Sequence, residues 1–233
     1  MISDSNDILK MDLLKLNKYK KHLGKRYKSF QYVFNKLSSK SKNCIVEFGT
    51  SRSFVNGGVS GCMSDDIKYW NDEDISRWDW GAGIFTRICA EMIDRTQNVL
   101  YTVDPSKCAM NISKTLTSKF SNNIEYVLTT STNFIKNTQN KIDILYMDHQ
   151  ETCEDGALLH LKDIKLILSK NLLSRDALIL IDDVHLNHTL SAPLGSDLKI
   201  SFDNYGKGKY SIPFLLSKKY RIIFEGYQVI LAK

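Results

Sequence analysis

Residues 220–233, Y-R-I-I-F-E-G-Y-Q-V-I-L-A-K, are the part of the chain that separates this architecture from its nearest alternatives. They read as two short strands joined by a tight turn at Glu225-Gly226, an antiparallel hairpin. Upstream, from Cys44, strand and helix alternate. The strands are C-I-V-E-F (44–48), V-L-Y-T-V-D (99–104), I-E-Y-V-L (124–128), I-D-I-L-Y-M-D (142–148) and A-L-I-L-I-D-D (177–183). Helical patterns fill 82–95, 106–119, 131–137, 153–170 and 210–218, the second of them opened by Pro105 and Ser106. Strands of continuous aliphatic character between helices predict a parallel sheet covered on both faces. Right-handed crossovers make that a doubly wound, three-layer α/β sandwich. With the hairpin added, the expected sheet has seven strands, mostly parallel and antiparallel at its end.

The chain has 233 residues, room for one large domain. A hydrophobic fraction of 42% against 25% charged residues suits an ordinary globular core. No apolar run reaches the roughly 18 residues of a membrane span, and the N-terminal residues lack a basic-then-apolar leader pattern. Five scattered cysteines without C-x-x-C spacing predict free thiols in a reducing compartment. A cytoplasmic location is therefore expected, with no membrane partner. Residues 1–40 read as a helical extension, with amphipathic helices at 5–20 and 26–39, ahead of the main domain at 41–233. Their apolar faces could pack on the sheet or form a homodimer. The formal charge is +6, and residues 15–42, which open K-L-N-K-Y-K-K-H-L-G-K-R-Y-K, hold a dense basic run. That run suits an anionic partner or a solvated helix face. Without aromatic–basic interleaving, nucleic acid is not the expected partner.

In an open parallel sheet, ligands sit beyond the carboxyl ends of the strands. Standing there are Glu47-Phe48-Gly49 with Thr50, then Asp104, Thr129 to Ser131, Asp148-His149, and Asp182-Asp183. Gly49 would let the backbone approach a ligand closely. Glu47 would tie down the loop or meet a ligand's amino group. Asp104 is placed to accept hydrogen bonds from two ribose hydroxyls, as acids do at that position in nucleotide folds. After Gly49 comes T-S-R-S-F, so the G-x-G-x-x-G phosphate loop of a dinucleotide site is missing.

I-V-E-F-G at the end of the first strand, Y-T-V-D at the end of the second, and five strand–helix units closed by a hairpin together resemble the class I S-adenosylmethionine-dependent methyltransferases, a Rossmann-like fold. The resemblance covers about residues 40–233. It implies S-adenosylmethionine as cofactor, held by Glu47, Gly49, Thr50, Gly81, Gly83, Asp104, Ser131 and Asp148. Gly81-Ala82-Gly83 would be the helical half of the cofactor loop, and 52–80 an insertion between the halves. That insertion carries Trp70, Trp78 and Trp80 with six acids, and could be a lid over the acceptor or packing on the sheet edge.

Asp148, Asp182 and Asp183 end neighbouring strands. Three converging carboxylates repel unless a cation lies among them, and hard oxygen ligands suit Mg²⁺ or Ca²⁺. The pattern Y-M-D-H-Q…I-D-D-V-H resembles the O-methyltransferases grouped with macrocin O-methyltransferase and the cephalosporin-hydroxylase-like proteins. The resemblance implies a divalent metal, Mg²⁺, on Asp148, Asp182 and Asp183. The metal would clamp two hydroxyls of a sugar or similar small-molecule or glycan acceptor and lower the pKa of one. That group often reads D-G-D-H where this chain reads Asp148-His149-Gln150-Glu151. Gln150 takes no proton, so His149 is the expected base beside Asp148, with Glu151 and His185 as alternatives. His160 is expected to be a packed or surface residue. The polar, glycine-spaced loop 195–214 reads as a flexible surface loop, or as one that closes over the acceptor with Lys207 or Lys209 meeting an anionic group. The competing readings are a nucleic-acid methyltransferase and a non-catalytic binding module.

Overall fold

The structure, a computed structural model, describes residues 14–37, 42–51, 74–78, 80, 84–94, 96–120, 123–184 and 206–233. Its strands are β1 Cys44–Phe48, β2 Val99–Asp104, β3 Ile124–Leu128, β4 Ile142–Met147, β5 Leu173–Ile181, β6 Arg221–Phe224 and β7 Val229–Ala232. They form one sheet in the order β3-β2-β1-β4-β5-β7-β6. The first five are parallel, and β7 runs antiparallel to both β5 and β6. The strand order reverses between β1 and β4, so ligand-binding residues are expected at the carboxyl ends of these strands and their neighbours.

The strands sort their side chains by the period of two. Ile45, Ile144, Tyr146, Leu178 and Leu180 face one core, while Val46, Phe48, Leu145, Met147, Ile179 and Ile181 face the other. The first core is covered by α1 Lys20–Leu23, a 3₁₀ turn Gly24–Arg26, α2 Tyr27–Leu37 and α3 Phe85–Ile93. The second is covered by α5 Ser131–Asn137, α6 Glu154–Ser169 and α7 Ser211–Ser217. Between them in sequence, α4 Lys107–Thr117 packs on α3 and on β2 and β3. It starts as expected, with Ser106 accepting a hydrogen bond from the Ala109 amide.

The N-terminal helices are part of the domain's core. Leu16, Phe30 and Val33 are fully buried, and Phe30 meets Phe85 and Tyr146 edge to face. Most of their described apolar side chains pack into this core, while Leu14 and Tyr32 are exposed. The expected helix at 5–20 is broken by a turn at Lys18-Tyr19, and residues 1–13 lie outside the described set.

Two expected boundaries change. The hairpin between β6 and β7 has a four-residue connection, 225–228, instead of a two-residue turn, and its register shifts between Ile222 and Phe224. The longer turn lets Tyr227 and Gln228 point back under the sheet end. β5 begins at Leu173, because Ser174 and the exposed Arg175 and Asp176 continue the strand as a polar end that carries no apolar signal. No helix among the described residues is long and apolar enough to cross a membrane.

Candidate functional site

Glu47 is fully buried beneath the strand ends. Its Oε2 lies 2.7 Å from the hydroxyls of both Thr86 on α3 and Thr102 on β2, and it has no exposure. Burial pushes its carboxyl up to about 8, with the two threonine hydrogen bonds opposing. Through Oε2, Glu47 joins the end of β1 to α3 and β2, while its Oε1 is buried without a partner. Thr50 joins the same network, its hydroxyl donating to Ser113 at 2.7 Å. The Thr50 amide points to Asp104 Oδ2 at 3.2 Å. Gly49 has φ of +90°, and a Cβ there would lie 2.9 Å from the Asp148 carbonyl and 3.0 Å from the His149 Cα. Its freedom lets β1 cross close beneath the chain leaving β4.

Asp104 and His149 line a cavity of about 500 Å³ together with Pro105, Ser131, Thr132 and Gln150. That volume falls in the range of small-ligand sites. Asp104 is held in place by two backbone donors, Thr50 at 3.2 Å and Ser106 at 2.7 Å. A carboxylate has about four acceptor positions, so Asp104 keeps capacity for a ligand's hydroxyls. Ser131, also expected here, lines the same cavity. Gly81 and Gly83 lie outside the described residues.

His149 is turned into the helix layer. Its Nε2 is 3.1 Å from Asp163 Oδ2, its ring stacks on His160 with centroids 4.4 Å apart, and its Nδ1 is buried without a partner. Burial lowers its pKa, with Asp163 opposing. His160 is fully buried, held by the His149 carbonyl at 3.0 Å, and pushed further down by burial and by the His149 charge. This is the geometry of a packed pair bounding the cavity. The nitrogen left without a partner, Nδ1, is buried, whereas a base must reach the acceptor. His185 and His188 lie outside the described residues, and Glu151 lines the cavity beside His149.

Asp148, Asp182 and Asp183 do converge, and cations of the chain itself already lie among them. Lys207 Nζ is 2.8 Å from Asp148 Oδ1 and 3.0 Å from Asp183 Oδ2. Arg26 Nε donates to Asp182 at 3.0 Å, and its outer nitrogen is 3.6 Å from Asp183. The Tyr146 hydroxyl lies 2.6 Å from Asp182 Oδ2 and 3.2 Å from Asp148 Oδ2. The Tyr227 hydroxyl donates to Asp183, and Thr152 does so at 3.2 Å. Burial pushes Asp182 up to about 7, helped by Asp148 and opposed by Arg26. Burial also opposes ionisation of Asp183, yet Lys207 and the Tyr227 hydrogen bond hold it below the usual carboxylate range. The expected Mg²⁺ does not fit this arrangement, because the position between Asp148 and Asp183 is taken by an ammonium. Among the described residues no group of three or more His, Cys, Asp and Glu side chains is arranged to hold a metal ion.

The cluster contains residues that the sequence did not single out. Arg26 arrives from the basic run, Tyr146 from mid-strand and Tyr227 from the hairpin turn. No local motif marks any of them. Lys207, in a loop that reads either as a surface loop or as an acceptor contact, lies inside the acid cluster. Lys209 pairs with Glu154 at 3.0 Å on the surface. Of the insertion, residues 52–73 and 79 lie outside the described set. Trp78 is buried, its ring stacked 5.5 Å from Trp80, which in turn stacks on His22 at 5.1 Å. For these two tryptophans packing on the N-terminal helices, rather than a lid, is what the contacts show.

Residues 80–184 match a family model described as a methyltransferase domain. The match begins beyond β1 and includes Asp104, Ser131, Asp148, Asp182 and Asp183. The fold is similar to that of the SAH-bound methyltransferase PaMTH1 of Podospora anserina, at 14% identity and a TM-score of 0.55, covering 99% of this chain and 88% of that one. A methyltransferase from Geobacter sulfurreducens aligns at 12% identity and a TM-score of 0.46, covering 86% of this chain and 75% of that one. No curated protein matches the sequence. The seven-stranded mixed sheet is thus the Rossmann-like methyltransferase fold.

Proposed function

We propose that the chain is an S-adenosylmethionine-dependent methyltransferase that methylates a hydroxyl group of a sugar or related small molecule. The carrying observation is the continuity of two sites through consecutive residues. His149 bounds the cavity that holds Asp104 and Ser131, and Asp148 belongs to the carboxylate cluster next to it. A nucleoside in the cavity, its ribose hydroxyls on Asp104, would direct the rest of the cofactor toward Asp148. The methyltransferase-domain match over 80–184 and the fold's likeness to a SAH-bound enzyme support this assignment.

Charge supports it too. Three carboxyl groups and the fixed cations of Lys207 and Arg26 leave at most one net negative charge in the cluster. A sulfonium carries one positive charge, which methyl transfer removes, so this field holds the donor more tightly than the neutral product. Asp148 has partial exposure at the junction and is the group proposed to orient the acceptor hydroxyl and to take its proton as the methyl passes from sulfur to oxygen. His149 is assigned to the cavity wall. The magnesium expected from the carboxylates forms no part of this proposal.

The test is transfer of isotopically labelled methyl groups from S-adenosylmethionine to a panel of sugars, nucleotide sugars and small vicinal diols. Wild-type protein is expected to label a hydroxylated acceptor, and Asp148→Asn to lower turnover about 100-fold, the scale of a lost acid–base or orienting group. Cofactor binding without transfer to any acceptor class would favour the binding-module reading.

A further inference from the structure

Three carboxylates at neighbouring strand ends call for a cation, and the chain supplies its own. Lys207 Nζ bridges β4 and β5 through Asp148 Oδ1 at 2.8 Å and Asp183 Oδ2 at 3.0 Å, with the Asp148 carbonyl at 3.3 Å. An ammonium has three donors, and these three acceptors take them all. Lys207 is 4% exposed and its pKa is raised: burial opposes the charge, and Asp148 and then Asp183 outweigh it.

The backbone is shaped to deliver this side chain. Gly206 has φ of +44°, and a Cβ there would lie 2.0 Å from the Asp183 carbonyl. The Lys207 amide donates to that same carbonyl at 3.3 Å. Asp183 itself sits at φ of +52°, a left-handed conformation rare for a non-glycine residue. The close approach at residue 206 thus sets the lysine stem directly over the ends of β4 and β5.

We propose that Lys207 is a built-in replacement for a divalent cation at this site. The wild-type cluster then takes up no Mg²⁺ or Mn²⁺. Removing the ammonium leaves Asp148 and Asp183, with the Thr152 hydroxyl 3.2 Å from Asp183 and water, as an oxygen site for such an ion. Arg26 remains on Asp182 in either case.

Mn²⁺ is the probe, with free Mn²⁺ followed by electron paramagnetic resonance and stability by thermal melting. Wild-type protein is expected to show no saturable binding at millimolar Mn²⁺. Lys207→Ala is expected to melt several degrees lower, to bind one Mn²⁺ per chain, and to regain stability when it does. Lys207→Ala with Asp183→Asn is expected to lose that binding. One Mn²⁺ bound by wild type and lost in Asp183→Asn would overturn the proposal. So would a folded Lys207→Ala that binds none. Lys207→Asn supplies a second background should the alanine variant fail to fold. Because the readout is cation binding, failure of methyl transfer would leave the proposal standing.

Discussion

Arg26 and Asp182 lie 156 residues apart in the chain, yet the Arg26 Nε donates to Asp182 at 3.0 Å. The pair joins the N-terminal helices to the end of β5. Asp182 has no exposure, and Arg26 also reaches the Trp80 carbonyl and the Tyr227 hydroxyl. Breaking a buried pair from one side strands a charge and costs about 3–5 kcal/mol. Arg26→Ala is therefore expected to lower the urea unfolding free energy by about that amount. Adding Asp182→Asn should recover part of the loss. Equal stability of Arg26→Ala and wild type would show that the guanidinium is not what compensates Asp182.

Gly49→Ala forces a Cβ to within 2.9 Å of the Asp148 carbonyl at φ of +90°. Left-handed strain costs on the order of 1–3 kcal/mol, and the displaced atoms belong to the proposed site. The expected outcome is lower stability together with weaker cofactor binding. A Gly49→Ala protein with unchanged binding would mean that the β1–β4 crossing does not shape the cavity.

Glu47 gives a pH dependence of definite sign. Its folded pKa of about 8 stands above the ordinary carboxylate range. The folded state therefore binds the proton more tightly, and the stabilisation is complete at acid pH. It is lost as pH rises toward about 8, at up to about 1.4 kcal/mol per pH unit. Glu47→Gln removes this proton, so its stability relative to wild type should rise steadily from pH 5 to pH 8. Parallel urea midpoints for the two proteins across that range would contradict a protonated Glu47.

His160 works in the opposite direction. Its folded pKa lies well below the ordinary value, so below about pH 6.5 the unfolded chain takes up a proton that the folded one refuses. Stability contributed by the neutral ring is lost as pH falls. His160→Gln, which can still donate to the His149 carbonyl, should lose less stability than wild type between pH 7 and pH 5. Identical acid sensitivity would place the titrating group elsewhere.

The sheet was legible because its signal is local. The run 177–181 is aliphatic on both faces and 142–147 is so apart from Asp143 and Tyr146, and Ser106 marks a helix start without any tertiary information. The acids at strand ends were legible for the same reason: topology places strand ends together. What stands between those acids was not. Arg26 and Lys207 reach the cluster from opposite ends of the chain, and a lysine in a glycine-spaced loop looks like a surface residue until Gly206 is seen against Asp183. The side to which His149 turns depends on Asp163, one helix away, which no strand-end motif reveals.

The most direct test of the central claim is calorimetric titration of S-adenosylhomocysteine into the wild-type protein and into Asp104→Asn. A hydrogen bond to a charged group is worth about 1.5–3 kcal/mol, or roughly ten- to a hundred-fold in affinity at 1.4 kcal/mol per decade. Saturable one-to-one binding by wild type, weakened by that factor in Asp104→Asn, is the predicted result. Absence of binding by folded wild-type protein would contradict the cofactor assignment and leave the fold without the proposed chemistry.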